Sequence, residues 1–224
     1  MNALTKAFSS KGRVLSRLNM VARQTCDTMS NIVVIGAVDT EAADTILHYA
    51  PRGEHYIFES NPVVRERLDK WYALFDKHIS EHIIGDKTGE EQRIFNIPTP
   101  VKAEKKGKKD EIKQVPTSFT LPLTTLDVIL PPDYIVGWIV IESKDDVAAI
   151  LQGAKQLTGR SHPHMLFQHG VEAGQAVSVF SLLMDNFLRI STLERWLNNK
   201  PCFTEAEFID KCRAGNPVAF IVYP

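Results

Sequence analysis

Gly36, Glu59 and Asp86 each stand at the end of a short apolar run, where a ligand could be held. A glycine lets the backbone turn tightly, so that the amino end of a following helix can face a ligand. A carboxylate at the second position can hydrogen-bond the two hydroxyls of a ribose, and one at the third can accept from an exocyclic amine. In this order the three residues predict a ligand that contains adenosine. The alternative is that Glu59 is an ordinary surface carboxylate and that Asp86 begins a turn ending at Gly89.

A second set of residues could move a proton. Glu142, Lys144 and Asp145 follow one strongly apolar run, and His169 follows another. Imidazole gains and loses a proton near neutral pH, which makes His169 the candidate general base. We expect Glu142 and Lys144 to belong to the same catalytic site. The alternative is that His169 is a hydrogen-bonded polar residue without a catalytic role.

The spacing of the histidines and cysteines does not predict a metal site. His162 and His164 precede a predicted strand, whereas His169 lies beyond its far end, roughly 15 Å away at about 3.3 Å per residue. The three cysteines are far apart and include no Cys-x-x-Cys pair. This usage is typical of a reducing compartment and argues against a disulfide framework.

The apolar runs alternate with segments of helical periodicity, which predicts an α/β fold. Short runs that are apolar throughout are typical of strands buried on both faces of a sheet. Parallel strands joined by helices form a doubly wound sheet, and such sheets bind ligands beyond the carboxyl ends of their strands. The predicted strands are Ile32–Ile35, Tyr56–Phe58, His82–Ile84, Ile135–Ile141, Met165–Phe167 and Ala219–Tyr223, and the predicted helices are Thr40–Tyr49, Pro62–Phe75, Asp146–Leu157 and Ala176–Phe187.

One segment interrupts this alternation. Gln92–Pro98 and Thr117–Leu123 alternate apolar and polar residues, which predicts an antiparallel pair of strands. Between them lies a lysine-rich insert, Lys102–Lys113. We interpret the insert as a solvated loop, and phosphate binding is the alternative.

The net charge of −1 conceals an uneven distribution of charge along the 224 residues. Residues 1–26 contain basic side chains and no acidic one. The rest of the chain is therefore mildly acidic, which gives no reason to expect a broad nucleic-acid-binding face. We predict a basic helix over residues 1–30 ahead of a domain at 31–224, with the helix or the lysine-rich insert as the contact for any macromolecule.

The same N-terminal segment bears on localisation. We expect the basic helix to be retained in a cytoplasmic protein, and the alternative is a mitochondrial transit peptide. The longest apolar run falls far short of the roughly 18 residues that a membrane-spanning helix needs. A composition of 44% hydrophobic and 24% charged residues indicates a globular protein and excludes disorder over most of the chain.

Four segments in order along the chain support a family resemblance. Tyr56–Pro62 is similar to a strand that ends in Phe-Glu-Pro-Asn-Pro, and Thr124–Leu130 contains a Thr-Leu-Asp turn. Ile84–Glu90 and Ile150–Ala154 add two further matches. From residue 31 to the end, the chain resembles the FkbM-type S-adenosylmethionine-dependent methyltransferases. The resemblance implies a class I, Rossmann-like methyltransferase fold with an antiparallel C-terminal strand, and O-methylation of a small hydroxyl acceptor such as a sugar, glycan or metabolite.

The resemblance also implies residues that bind S-adenosylmethionine, although the first motif departs from the family. That motif reads Asp-x-Gly-Ala-Asn-x-Gly, and here Val34, Val38 and Thr40 replace the first Asp, the Asn and the last Gly. We expect Asp39, one position after Val38, to substitute for the missing carboxylate of the motif. The implied cofactor-binding residues are Gly36, Ala37, Asp39, Glu59 and Asp86.

Further departures fall where a substrate would lie. In the family's Lys-Ile-Asp-Val-Glu-Gly segment, Glu142 replaces the Asp and Lys144 replaces the Glu, while Gln168-His169 follows Phe167 at the family's Phe-Glu. Two hypotheses result. The first is an active methyltransferase, favoured because Glu59 and Asp86 are retained. The second is a catalytically degenerate methyltransferase fold that serves as a structural or binding subunit of a larger assembly.

Overall fold

A mostly parallel β-sheet of seven strands forms the centre of the molecule, in a computed structural model that describes residues 3–37, 40–101, 111–143, 146–214 and 218–224. The described strands are β1 (Ile32–Ile35), β2 (Glu54–Phe58), β3 (Asp76–Ser80), β4 (Ile83–Ile84), β5 (Gly89–Val101), β6 (Glu111–Thr124), β7 (Trp138–Ile141), β8 (His164–Phe167), β9 (Arg189–Thr192) and β10 (Phe220–Tyr223). The order across the sheet is β3-β2-β1-β7-β8-β10-β9, and β10 runs antiparallel to both of its neighbours. This arrangement confirms the doubly wound α/β prediction and the antiparallel C-terminal strand.

Helices cover both faces of the sheet. Side chains alternate between the two faces along each strand, so a strand that is apolar throughout makes both faces apolar. Ile32 and Val34 face one apolar layer, and Val33 and Ile35 face the other. The first layer includes α1 (Ala3–Thr25), α2 (Glu41–Leu47), α3 (Pro62–Trp71) and α8 (Leu193–Leu197). The second includes α4 (Leu126–Ile129), α5 (Val147–Gln152), α6 (Lys155–Ser161), α7 (Ala176–Asp185) and α9 (Glu205–Arg213).

The chain changes direction across the sheet between β1 and β7. From β1 it proceeds outward through β2 and β3, and it then returns to β7 on the other side of β1. Ile35 pairs with Phe58 on one side and with Ile141 on the other. The residues that directly follow these three therefore meet at one edge of the sheet, at the topological switch point where such folds bind ligands.

The third strand of the main sheet is β3, and the predicted strand His82–Ile84 was wrong in this role. β3 pairs parallel with β2, whereas β4 belongs to a separate three-stranded sheet in the order β4-β6-β5. β3 lies at the edge of the sheet and its residues are partly or fully exposed. It therefore lacks the apolar run by which buried strands are recognised. Asp86 consequently follows β4 and not a strand of the main sheet.

Other predicted elements differ in extent. The predicted helix 146–157 is two helices, separated at Gly153, where an added Cβ would lie 2.0 Å from the carbonyl oxygen of Gly85. The predicted strand Ile135–Ile141 begins only at Trp138. Helices α2, α3 and α7 confirm the other helix predictions with shorter bounds, whereas β9, α8 and α9 were not predicted.

The predicted antiparallel pair of strands is confirmed, and both strands are longer than predicted. β5 and β6 pair from Gly89 opposite Leu123 to Val101 opposite Glu111. Of the lysine-rich insert, residues 102–110 lie outside the described residues. The interpretation of the insert as a solvated loop stays a prediction.

Helix α1 packs against the main domain through its second half. Leu18, Val21 and Ala22 are fully buried in the same apolar layer as α2 and α8. Arg17 pairs with Glu194 at 2.9 Å. Part of the basic charge of this helix is thus compensated within the chain, and its contact with another macromolecule stays a prediction. None of the helices in the described ranges has the length and apolar character needed to span a membrane.

Candidate functional site

Gly36 forms the turn at the end of β1, where it lies close to Ser143 at the end of β7. Its φ is +75°, in the left-handed region that favours glycine. Its N–H donates to the carbonyl of Phe58 at 2.8 Å. An added Cβ would lie 2.3 Å from Cβ of Ser143. The glycine is therefore required by the approach of the β7 end, and the adjacent Ala37 is buried beside it.

Glu142 links the end of β7 to the amino end of α2. Its side chain is 2% exposed, and Oε1 accepts a hydrogen bond from the N–H of Ala43 at 3.1 Å. The residue at the N-cap of α2, Thr40, forms no side-chain capping bond. A carboxylate at a helix amino end satisfies an otherwise unpaired N–H and interacts favourably with the helix dipole. Glu142 thus performs the capping function for α2 from a distant part of the chain.

Glu59 is fixed at the end of β2. It is 3% exposed, and Oε1 accepts from the N–H of Asn61 at 2.7 Å. Its own N–H donates to the carbonyl of Ser80 at 2.9 Å. Asn61 in turn caps α3 by accepting from the N–H of Val63 at 3.0 Å. The carboxylate is therefore held at the edge of the sheet in one orientation.

Asp86 does not follow a strand of the main sheet, unlike Gly36, Glu59 and Glu142. It is exposed, in the bend between β4 and β5. β3 ends instead at Ser80, whose Oγ lies 2.6 Å from Nδ1 of His82, two residues further along the chain. These residues were missed in the sequence because β3 carries no apolar signal.

The end of β8 opens into a cavity. Gln168 donates its backbone N–H to the carbonyl of Ile141 at 3.0 Å, which places it beside the end of β7. The next residue, His169, is exposed and lines a cavity of about 410 Å³ together with Lys211 and Arg213 of α9. Because β10 runs antiparallel to β8, the start of β10 lies at this edge as well and contributes Phe220 to the lining.

Two buried atoms of neutral side chains at this edge have no hydrogen-bond partner among the described residues. They are Oγ of Ser143 and Oε1 of Gln168. Buried polar atoms are usually paired, so an unpaired one commonly contacts a ligand or an ordered water molecule. The sequence did not single out either side chain as a ligand contact, because both are neutral and neither belongs to a preserved motif.

The predicted site residues thus fall into three groups. Gly36, Ala37, Glu59, Glu142 and His169 follow strands of the main sheet at its carboxyl edge, although Asp86 does not. Asp39 and Lys144 lie outside the described residues. Within the described part of the chain, no group of three or more His, Cys, Asp or Glu side chains is arranged to hold a metal ion.

No protein-family model matches the sequence, and no curated protein matches it. Solved methyltransferase structures do match the fold. The methyltransferase FkbM of Methylobacillus flagellatus superposes with a TM-score of 0.50 at 11% identity, over 88% of this chain and 44% of that chain. A precorrin-6y methyltransferase of Geobacter metallireducens gives a TM-score of 0.44 at 13% identity, over 94% of this chain and 84% of that chain. Fibrillarin of Aeropyrum pernix, solved with bound S-adenosylmethionine, gives 0.44 at 12% identity, over 89% and 68%.

The match to the FkbM structure shows the fold. The chain shares the class I fold of S-adenosylmethionine-dependent methyltransferases, with the mostly parallel sheet and the antiparallel β10 described above. It spans less than half the length of the FkbM structure that it matches.

Proposed function

We propose that the protein is an S-adenosylmethionine-dependent methyltransferase that methylates a hydroxyl group of a small acceptor, such as a sugar or a metabolite. The observation that carries the proposal is the buried carboxylate of Glu59, fixed at the end of β2 beside the switch point of this sheet. The matches to methyltransferase structures support the fold on which the proposal rests.

The residues at the carboxyl edge fit an adenosine-containing cofactor. Glu59 would hold the ribose hydroxyls, because a fixed carboxylate can accept hydrogen bonds from two adjacent hydroxyl groups. Gly36 and Ala37 would line the neighbouring turn, and we assign the ammonium group of the cofactor to Asp39. Asp86 is left out of the proposed site, since it follows β4.

When bound, the cofactor supplies an activated methyl group to a hydroxyl oxygen of the acceptor. Ser143 Oγ and Gln168 Oε1 would hydrogen-bond the bound molecules, since both atoms are buried and lack partners among the described residues. His169 would take the proton that the hydroxyl loses, because it lines the adjacent cavity with its side chain exposed. The participation of Lys144, which lies outside the described residues, stays a prediction from the sequence.

Glu142 has a different role in this proposal from the catalytic one expected from the sequence. Its Oε1 accepts from the N–H of Ala43 and the side chain is buried. We therefore assign it to positioning: it fixes the amino end of α2 relative to the ends of β1 and β7. Positioning of this kind contributes to methyl transfer because an in-line displacement depends on the alignment of the reacting groups.

A second candidate function is a methyltransferase fold retained as a binding subunit. The observation that favours it is Val34, which is fully buried in the apolar layer where the family has a strand-end aspartate. The loss of that carboxylate removes an acceptor for the cofactor ammonium.

Isothermal titration calorimetry with S-adenosylhomocysteine and S-adenosylmethionine separates the two functions. The methyltransferase proposal expects both to bind the full chain with a stoichiometry of about one, as a single switch-point site implies. Absence of binding by a folded sample, at millimolar ligand, would contradict it and favour the binding subunit.

A further inference from the structure

A second cavity, which the proposed methyltransferase site does not include, lies where the carboxyl ends of α2 and α3 meet. Both helices start after strands at the carboxyl edge of the sheet, so these ends point toward the opposite edge. The volume is about 320 Å³, within the roughly 300–1,000 Å³ typical of small-molecule sites. The lining residues are Asp44, Leu47, His48, Trp71, Tyr72 and Phe75.

Three aromatic rings dominate this lining. Tyr72 and Phe75 meet edge to face, with ring centroids 5.8 Å apart and an angle of 89° between the planes. Trp71 is 57% exposed, which is unusual for so large an apolar side chain. The face of an aromatic ring carries partial negative charge and attracts cations. Within the protein, the guanidinium of Arg67 already lies over the Trp71 ring, 5.0 Å from its centroid.

A carboxylate stands beside the rings. The side chain of Asp44 accepts hydrogen bonds from the hydroxyl of Tyr72 and, at 3.2 Å, from Oγ1 of Thr40. Burial, and then the hydrogen bond to Asp44, raise the pKa of Tyr72 above its usual range, so this hydroxyl stays a neutral donor. The two donors fix the orientation of the carboxylate. The partly negative carboxyl ends of α2 and α3 add to its field.

We propose that this cavity binds a small molecule with a quaternary ammonium group. Such a cation has no N–H to donate and is weakly hydrated, so aromatic faces and one nearby carboxylate hold it better than a network of acceptors would. A metal ion does not fit, because Asp44 is the one carboxylate among the described residues that line the cavity. Besides Arg67, the last turns of α3 carry the cation Lys70, whose charge is compensated by Glu66 at 2.7 Å.

Choline is the probe for this proposal, and 3,3-dimethylbutan-1-ol, which has the same shape without the charge, is its comparator. Calorimetric titration of each into the full chain is expected to show choline binding about tenfold more tightly or better, as a cation–π site with a carboxylate requires. Equal affinity would show a merely apolar cavity and overturn the proposal. No binding of choline to folded protein would overturn it as well.

Variants test whether the rings and the carboxylate are responsible. Trp71→Ala and Asp44→Asn are each expected to weaken choline binding by about tenfold. Leu74→Ala is the matched control, because Leu74 is 98% exposed, near the rings in sequence, and does not line the cavity. Thermal melting of each variant verifies folding. A loss of affinity in Leu74→Ala as large as in Trp71→Ala would contradict the site, and so would displacement of choline by S-adenosylhomocysteine.

Discussion

Gly36 is constrained both by its backbone and by its surroundings. Its φ of +75° is unfavourable for any residue with a Cβ, and that Cβ would overlap Ser143. The sequence indicated a tight turn here, but it could not show that the turn is closed by the end of β7, which lies more than a hundred residues further along the chain. Contacts of this kind depend on the sheet order, which no local pattern contains.

Gly36→Ala is expected to lower the free energy of unfolding by about 2 kcal/mol or more, because left-handed backbone and overpacking both cost energy. Urea unfolding followed by circular dichroism measures it. Gly12→Ala is the control: nothing in the part of the chain that the structure describes lies within 4 Å of its Cβ position in α1, so the change should stabilise by about 0.5–1 kcal/mol. Similar effects of the two substitutions would show that Gly36 is constrained neither by its left-handed backbone nor by its contact with Ser143.

Glu142→Ala is expected to destabilise the protein by about 1–3 kcal/mol, because the N–H of Ala43 loses its acceptor in a buried place. Glu142→Gln keeps an oxygen acceptor and should cost less. Glu205, exposed in the first turn of α9, provides the control substitution Glu205→Ala. If thermal melting finds Glu142→Ala no more destabilising than Glu205→Ala, Glu142 does not cap α2.

His164 gives the stability a defined pH dependence. Burial lowers its pKa from 6.5 to about 4, and its ring stacks on Trp138 with centroids 5.3 Å apart. Between these two pKa values the unfolded chain binds a proton that the folded chain does not. The contribution of His164 to stability is therefore complete above pH 6.5 and is lost as the pH falls toward 4, by up to about 3 kcal/mol.

The difference between wild type and His164→Phe isolates this contribution from that of the carboxylates. Chemical unfolding at several pH values should give a difference in free energy of unfolding that changes between pH 6.5 and 4 and is constant above pH 7. A difference independent of pH over this interval would show that the pKa of His164 is not lowered in the folded state.

At the scale of elements, predictability followed burial. β1 and β7 are buried at every residue, and both were recognised from continuous apolar runs. β3 and β9 lie at the two edges of the sheet, and the sequence did not reveal either of them. An edge strand exposes one side and is specified mainly by its neighbour, so its own sequence contains little of the information. The third strand of the sheet was therefore predicted at the nearest two buried apolar residues, Ile83 and Ile84, which form β4.

Helix α1 is an element whose role the sequence left open. Since Leu18 is fully buried against the domain, Leu18→Ala is expected to lower the free energy of unfolding by about 2–4 kcal/mol. Met20→Ala, on the exposed side of the same helix, should have an effect of less than about 0.5 kcal/mol. Equal and small effects in urea unfolding would show that α1 does not contribute to the core.

At the scale of the whole molecule, the candidate site is assembled from distant segments. Residues after β1, β2, β7 and β8 meet because β1 lies between β2 and β7. The sequence predicted this edge correctly for Gly36, Glu59 and Glu142, since each directly follows a buried strand. It could not predict the bond from Glu142 to Ala43 or the unpaired Oγ of Ser143, because both depend on how the helices pack on the finished sheet.

The proposed cofactor site depends most on the carboxylate of Glu59. Its most direct test is calorimetric titration of S-adenosylhomocysteine into wild type, Glu59→Gln and the control Glu66→Gln, whose side chain is exposed on α3. We expect Glu59→Gln to weaken binding about tenfold to a hundredfold, as loss of a charged hydrogen-bond acceptor predicts, and Glu66→Gln to leave it unchanged. Unchanged affinity in a folded Glu59→Gln protein would contradict the assignment of Glu59 to the cofactor ribose.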